Sequence, residues 1–165
     1  MKGVVIYCSK YGSTRQYAEW IADELGFEVS PCNVKQNLEH KDLIIFGSWV
    51  MGNRLRAGSW LEKNWEELKK KKVIVFSTSG ALPTAEFTEM VSSNSFSDEI
   101  SKQIILFGFR GRMIFQRLSF TDKLMMKIGR IFVKDPEVKK NMLKDFDGVK
   151  KQSIKKLVDY VNNLS

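Results

Sequence analysis

Four apolar runs, each bounded by polar residues, restrict what this chain can fold into. They are Val4-Val5-Ile6-Tyr7-Cys8, Leu43-Ile44-Ile45-Phe46-Gly47 within Asp42 to Ser48, Val73-Ile74-Val75-Phe76-Ser77, and Ile104-Ile105-Leu106-Phe107 within Gln103 to Phe109. Continuous rather than alternating, they read as strands covered on both faces, the habit of a parallel sheet between helix layers. Glu28 to Cys32, which includes Pro31, reads as a further short strand. Helical spacing fills the gaps. Arg15 to Leu25 repeats Tyr17, Ile21, Ala22 and Leu25, and Ser59 to Leu68 aligns Trp60, Leu61, Trp65 and Leu68. A last helix is expected within Met142 to Leu164, with Phe146, Val149, Ile154, Leu157, Val158 and Val161 as its apolar side. Lys69 to Lys72 is a solvated charge run, and Thr78 to Thr88, with Ser79, Gly80 and Pro83, reads as a long loop. Alternating strands and helices predict an α/β chain with helices on both faces of an open parallel sheet. At 165 residues it reads as one domain spanning 1–165.

In such sheets ligands bind beyond the carboxyl ends of the strands, where strand order reverses. The first strand ends in Ser9-Lys10-Tyr11-Gly12-Ser13-Thr14 and a helix follows. Free N–H groups at a helix start, with hydroxyls beside them, suit a phosphate. Neither G-x-x-x-x-G-K-[ST] nor G-x-G-x-x-G is present. The pattern [ST]-x-x-G-x-[ST] resembles the loop by which the flavodoxin family holds the phosphate of FMN; without a ligand it would be a plain strand–helix turn. A flavin also needs flat walls and backbone donors for its polar edge. Ser48-Trp49-Val50-Met51-Gly52-Asn53 supplies candidate walls, Trp49 by stacking. Thr78-Ser79-Gly80-Ala81 supplies candidate backbone donors.

Charge is concentrated in one place. The chain carries +8 overall. Arg110, Arg112, Arg117, Lys123, Lys127, Arg130 and Lys134 face only one acid, Asp122, between positions 110 and 134. Phe120, Leu124, Ile128 and Ile131 recur there at helical spacing, widened by Met125 and Phe132. This basic amphipathic helix belongs to an insertion at about 110–141, before the last helix. Two fates are open to it: folding its apolar face back onto the domain, or docking on an anionic partner. The insertion is expected to border the ligand cleft.

Other chemistries find little support. Cys8 and Cys32 form no CxxC pair and read as buried or half-buried thiols of a reducing cytoplasm. A single histidine, His40, leaves no histidine metal cluster. Val4 to Ser9 lacks the acids that a Mg²⁺-binding receiver domain needs. No apolar run approaches the roughly 20 residues of a membrane span, and Met1-Lys2-Gly3 leads into the first strand without a leader-like segment. No nucleic-acid module is recognisable, so nucleic acid is not an expected partner.

The order of elements from Lys2 to Leu164 resembles the flavodoxin family. That implies a flavodoxin-like α/β/α sandwich, strand order 2-1-3-4-5, and FMN as cofactor. Met1 to Leu25, Phe46-Gly47-Ser48 and especially Phe109 to Gly129 are similar to the bacterial flavodoxin-type protoporphyrinogen IX dehydrogenases of heme biosynthesis. Those enzymes carry a basic, aromatic-rich insertion after the fifth strand, oxidise protoporphyrinogen with FMN and pass electrons to menaquinone. The segment Ser77 to Thr88 and the triplet Trp49-Val50-Met51 depart from their pattern. The resemblance implies an FMN oxidoreductase, cytoplasmic or peripheral at the inner face of the membrane. Its expected partners are a quinone or another redox partner, together with an anionic bilayer or a carboxylated porphyrinogen at Arg110, Arg112, Arg117, Lys123, Lys127 and Arg130. A homo-oligomer is compatible with the sequence. The alternative is a flavodoxin-like electron carrier with no substrate of its own; such carriers are typically acidic, unlike this chain.

Overall fold

A computed structural model describes residues 1–164. Five parallel strands make the main sheet: β1 (Gly3–Tyr7), β2 (Glu28–Pro31), β3 (Leu43–Met51), β5 (Lys72–Ser79) and β6 (Ile104–Arg110). Their order is β2-β1-β3-β5-β6, and a two-residue strand β4 (Arg54–Leu55) pairs antiparallel with the end of β3. With that hairpin strand set aside, this is the expected 2-1-3-4-5.

The continuous apolar runs are continuous because both faces are covered. Val4, Ile6, Ile44, Phe46, Val73 and Val75 point to one side, where Leu61, Trp65 and Leu68 of α2 (Gly58–Leu68) meet them. Val5, Leu43, Ile45, Ile74 and Phe76 point to the other, against Tyr17, Ala18 and Ile21 of α1 (Ser13–Leu25) and Leu157 and Val161 of α7 (Lys155–Asn162). Each fully buried aliphatic or aromatic side chain contributes roughly 1.5–3 kcal/mol.

The elements depart from expectation in four places. β3 runs three residues past Ser48, because Gly52 and Asn53 both take φ near +60° and turn the chain into a hairpin. The long loop expected over Thr78 to Thr88 is short. β5 continues to Ser79, and α3 (Ala85–Ser95) begins after Thr84, whose hydroxyl accepts from Phe87 N–H. A fourth helix, α4 (Asp98–Gln103), is capped by Ser97. Neither α3 nor α4 shows an apolar stripe: α3 buries only Val91 and Ser95, so their signal lies in the caps. The last helix is shorter than expected, for Phe146 belongs to β8 (Phe146–Asp147), Val149 to a connection, and a tight turn over Lys151–Ile154 precedes α7.

The cysteines are a correction. Cys8 and Cys32 are not separate thiols but a disulfide, with Cα atoms 5.3 Å apart. β1 and β2 are parallel neighbours in register Tyr7↔Pro31, and the Cys32 N–H donates to the Tyr7 carbonyl. The residues that follow those two positions are therefore side by side, although 24 residues separate them in sequence.

The insertion forms β7 (Arg112–Met113), a turn over Phe115–Arg117, α5 (Phe120–Phe132) and α6 (Pro136–Asn141), and returns through β8, which pairs with β7. α5 does not fold its apolar stripe back. Phe120 is 80% exposed, Ile131 71% and Phe132 77%, and Leu124, Met125 and Ile128 are exposed as well. The only residue of α5 that is buried is its acid, Asp122.

Candidate functional site

The loops at the carboxyl ends of β1, β3 and β5 meet in one cleft, as the topology requires. Its base is the phosphate-type loop. Gly12 takes φ +93°, a left-handed turn that favours glycine, and so aims the start of α1 back toward the loop. No side chain caps α1. The Gln16 N–H returns to the Gly12 carbonyl, which leaves the N–H groups of Ser13, Thr14 and Arg15 as the free donors of the first turn. A helix start with that many donors and a positive dipole end is an anion site.

The hydroxyls around it are held in place. Ser9 Oγ accepts from the Gly12 N–H at 3.2 Å, and Ser13 Oγ accepts from the Arg112 N–H at 3.0 Å. Each uses its oxygen, so its own hydrogen remains able to donate to a ligand. Thr14 is buried and its hydroxyl lies 2.8 Å from that of Thr78 on β5. One of that pair donates to the other, so one O–H is left between them.

Trp49, Val50 and Met51 form one wall and Thr78, Ser79 and Gly80 the floor. Trp49 lines the cleft, while its indole N–H is buried with no partner. Gly111, Arg112, Met113, Leu118 and Phe146 close the opposite side. The expectation that the insertion borders the cleft agrees with this geometry. The free volume between the walls is about 140 Å³, below the roughly 300–1,000 Å³ of small-molecule pockets, since the insertion leans over it. A larger groove of about 1040 Å³ runs along the outer edge of β6 beside α3. It has no phosphate-type loop, so the smaller cleft is the candidate site.

Not every expected residue reaches the cleft. Gly12 shapes the loop without lining it. Ser48 is buried and accepts from the Ala57 N–H at 3.1 Å, while Gly52 and Asn53 form the hairpin turn and Ala81 lies outside the lining. Of the insertion cations, only Arg112 lines the cleft. Arg110 lies over the Phe146 ring at 5.4 Å and faces the larger groove. Lys123 donates to the Gln116 carbonyl, and Lys127 and Arg130 gather beside Lys139 and Leu143. Arg117 sits in the turn before α5.

Two anchors escaped the sequence reading. The Tyr17 hydroxyl, on a residue counted as core, donates to the Arg110 carbonyl at 2.8 Å and accepts from the Lys150 N–H at 3.2 Å. It pins both roots of the insertion. The second is Asp122. Lys10 Nζ lies 2.7 Å from its Oδ2, and the Tyr11 hydroxyl donates to the same oxygen. Burial pushes the Asp122 carboxyl up. The hydrogen bonds from Lys10, Tyr11 and Ser119 together outweigh that and hold it below the ordinary carboxylate range. Lys10 is raised, chiefly by its bond to Asp122. Asp147, bonded to the Val149 N–H and paired with Arg112 at 2.7 Å, is also lowered. A lone acid in a basic segment was the available signal for Asp122.

A free helix start and two serine hydroxyls that can still donate fit a group with a phosphate at one end, and Trp49 on the cleft wall fits a planar ring at the other. The flavodoxin domain family model matches residues 4–139. No curated protein matches the chain. Among solved structures, a putative flavoprotein of Bacteroides eggerthii superposes with TM-score 0.52 at 16% identity, covering 65% of this chain and 85% of that one. A WrbA-like flavodoxin of Agrobacterium tumefaciens gives TM-score 0.50 at 18% identity, covering 75% and 88%. At such identities the likeness is one of fold. With most of its length matched by the family model, the chain belongs to the flavodoxin-domain family, and FMN is its cofactor.

Proposed function

We propose that the protein is an FMN-dependent oxidoreductase of the protoporphyrinogen-dehydrogenase type that works at an anionic membrane surface and delivers electrons to a quinone. The observation that carries this reading is α5. It holds an uncovered apolar stripe, Phe120, Leu124, Ile128 and Ile131, flanked by Lys123, Lys127 and Arg130, on an insertion that borders the cleft. Apolar surface of this kind beside cations suits the headgroup boundary of a bilayer, where a lipophilic quinone resides. Among the described residues no helix is long and apolar enough to cross a membrane, so attachment would be peripheral.

Bound FMN supplies the electron-transfer chemistry. The chain's own residues do the rest. Ser9, Ser13 and the free N–H groups of α1 bind the phosphate, and Trp49 offers a face to the ring. Ser79 and Gly80 border its polar edge, while Met113, Leu118 and Phe146 exclude water. Arg112, at the rim and shared with Asp147, is the cation best placed to meet a substrate carboxylate.

The test is the visible spectrum of freshly purified protein, followed by turnover with protoporphyrinogen and a menaquinone analogue. A flavin spectrum with porphyrin formation that depends on the quinone supports the reading. A flavin spectrum with no porphyrin formed under any acceptor refutes the substrate and leaves an electron carrier.

A further inference from the structure

Of the 13 residues of α5, Asp122 alone is buried, 4% exposed, and beyond its own cap residue Ser119 its side-chain partners, Lys10 and Tyr11, come from the phosphate loop. Lys10 Nζ at 2.7 Å and the Tyr11 hydroxyl both meet one carboxylate oxygen. Ser119, the N-cap of α5, returns a second link, its N–H donating to the Tyr11 oxygen at 3.0 Å. Lys10 and Tyr11 are neighbours of Gly12 and Ser13, so the residues that grip α5 sit on the loop whose N–H groups form the anion site. The apolar stripe of α5 makes no comparable attachment.

We propose that Asp122 is a positioning residue that latches the insertion to the phosphate loop, so that the outward-facing helix and the cofactor's phosphate site move as one unit. This rests on the FMN assignment for its cofactor arm only. The latch is polar because the apolar side of α5 is turned outward, leaving a charge-assisted cluster to hold the helix. Any ligand that orders the loop then orders α5, and by reciprocity any surface that orders α5 alters affinity at the loop. With Met113 and Leu118 leaning over the cleft, a firm latch also slows the escape of a bound flavin.

The test uses the whole protein, first free of FMN. Amide hydrogen exchange across residues 118–132 is compared in wild type, Asp122→Asn, Lys10→Met and the double variant. Each single change should speed exchange there at least tenfold while β3 and β5 stay protected. The double variant should be no faster than the faster single one, since both changes break one contact. Unchanged exchange in the singles, or additive effects in the double, would overturn the latch. Should Asp122→Asn fail to fold, Lys10→Met, which alters a residue at the surface, decides alone. FMN is then added. It should slow exchange over 118–132 in wild type, and stopped-flow release of FMN should be severalfold faster in Asp122→Asn. Wild type that takes up no FMN refutes the cofactor assignment, and the FMN-free comparison still stands or falls on its own.

Discussion

α1 and α5 are both 13-residue amphipathic helices, and both meet the phosphate-type loop. α1 buries Thr14, Tyr17, Ala18, Ile21 and Ala22 against the sheet, while α5 buries one aspartate and turns its apolar residues outward. Periodicity establishes that a helix has an apolar side; it does not say what covers that side. For α1 the cover is β1, β3 and β5, strands legible in the same sequence. For α5 the described residues provide no cover, and under the proposed function an anionic surface would supply it.

The sharpest way to break this contrast is a matched pair of truncations. Ile21→Ala removes a fully buried side chain and should cost about 2–5 kcal/mol in chemical denaturation. Ile131→Ala removes one that is largely exposed and should stay within about 0.5 kcal/mol. Equal losses would mean that the α5 stripe is covered in the free protein.

The disulfide gives the next effect. Cys8 anchors the strand that leads into the phosphate-type loop, and its bond to Cys32 closes a loop of 24 residues. Chain-entropy arguments assign such a cross-link roughly 3–4 kcal/mol. Reduction, or Cys32→Ser, should therefore lower the denaturation midpoint clearly. A midpoint that ignores reductant would show that the bond does not form in solution.

These outcomes bear on how far the sequence could be read. The two-sided strands, α1, α2 and the hydroxyl-rich loop were legible because each rests on local pattern: continuous apolar runs, a 3.6-residue period, a loop with its glycine. What was missed rests on contacts between distant positions. The Cys8–Cys32 bond needs the β1–β2 register, and the Tyr17 hydroxyl's hold on Arg110 and Lys150 joins residues 93 and 133 positions apart. α3 escaped for a different reason. It meets β4 and β6 with few buried side chains, so its caps carried the signal and its periodicity did not.

Anionic vesicles sharpen the comparison from the other side. Basic residues near an anionic surface contribute roughly 1 kcal/mol each. Changing Lys123, Lys127 and Arg130 to Gln should thus weaken co-sedimentation by about two orders of magnitude at low salt. Wild-type binding should itself fade as ionic strength rises. Binding that ignores lipid charge, salt and all three substitutions would refute the membrane role. The matching changes on α1, Arg15→Gln with Glu19→Gln, should leave vesicle binding unaltered.

The smallest effect expected is acid release of α5 alone. Asp122 is held below its ordinary value, so its contribution is fully present above that value, near pH 4, and is lost as pH falls through the lower folded-state value. Lys10 is held above its ordinary 10.5, so its contribution persists below that pH and is lost only as pH rises through the higher folded-state value. Between roughly pH 4 and 10 both charges are in place and the latch should hold. α1 is fixed instead by apolar burial and by the hydrogen bonds of the Tyr17 hydroxyl to Arg110 and Lys150. Hydrogen exchange followed from pH 6 down to pH 3, after correction for the intrinsic rate, should show residues 118–132 losing protection before α1 does. In Asp122→Asn that early step should vanish, with α5 already unprotected at pH 6. Simultaneous loss in both helices would mean that acid unfolds the domain as a whole and that the carboxylate of Asp122 does not separately govern the position of α5.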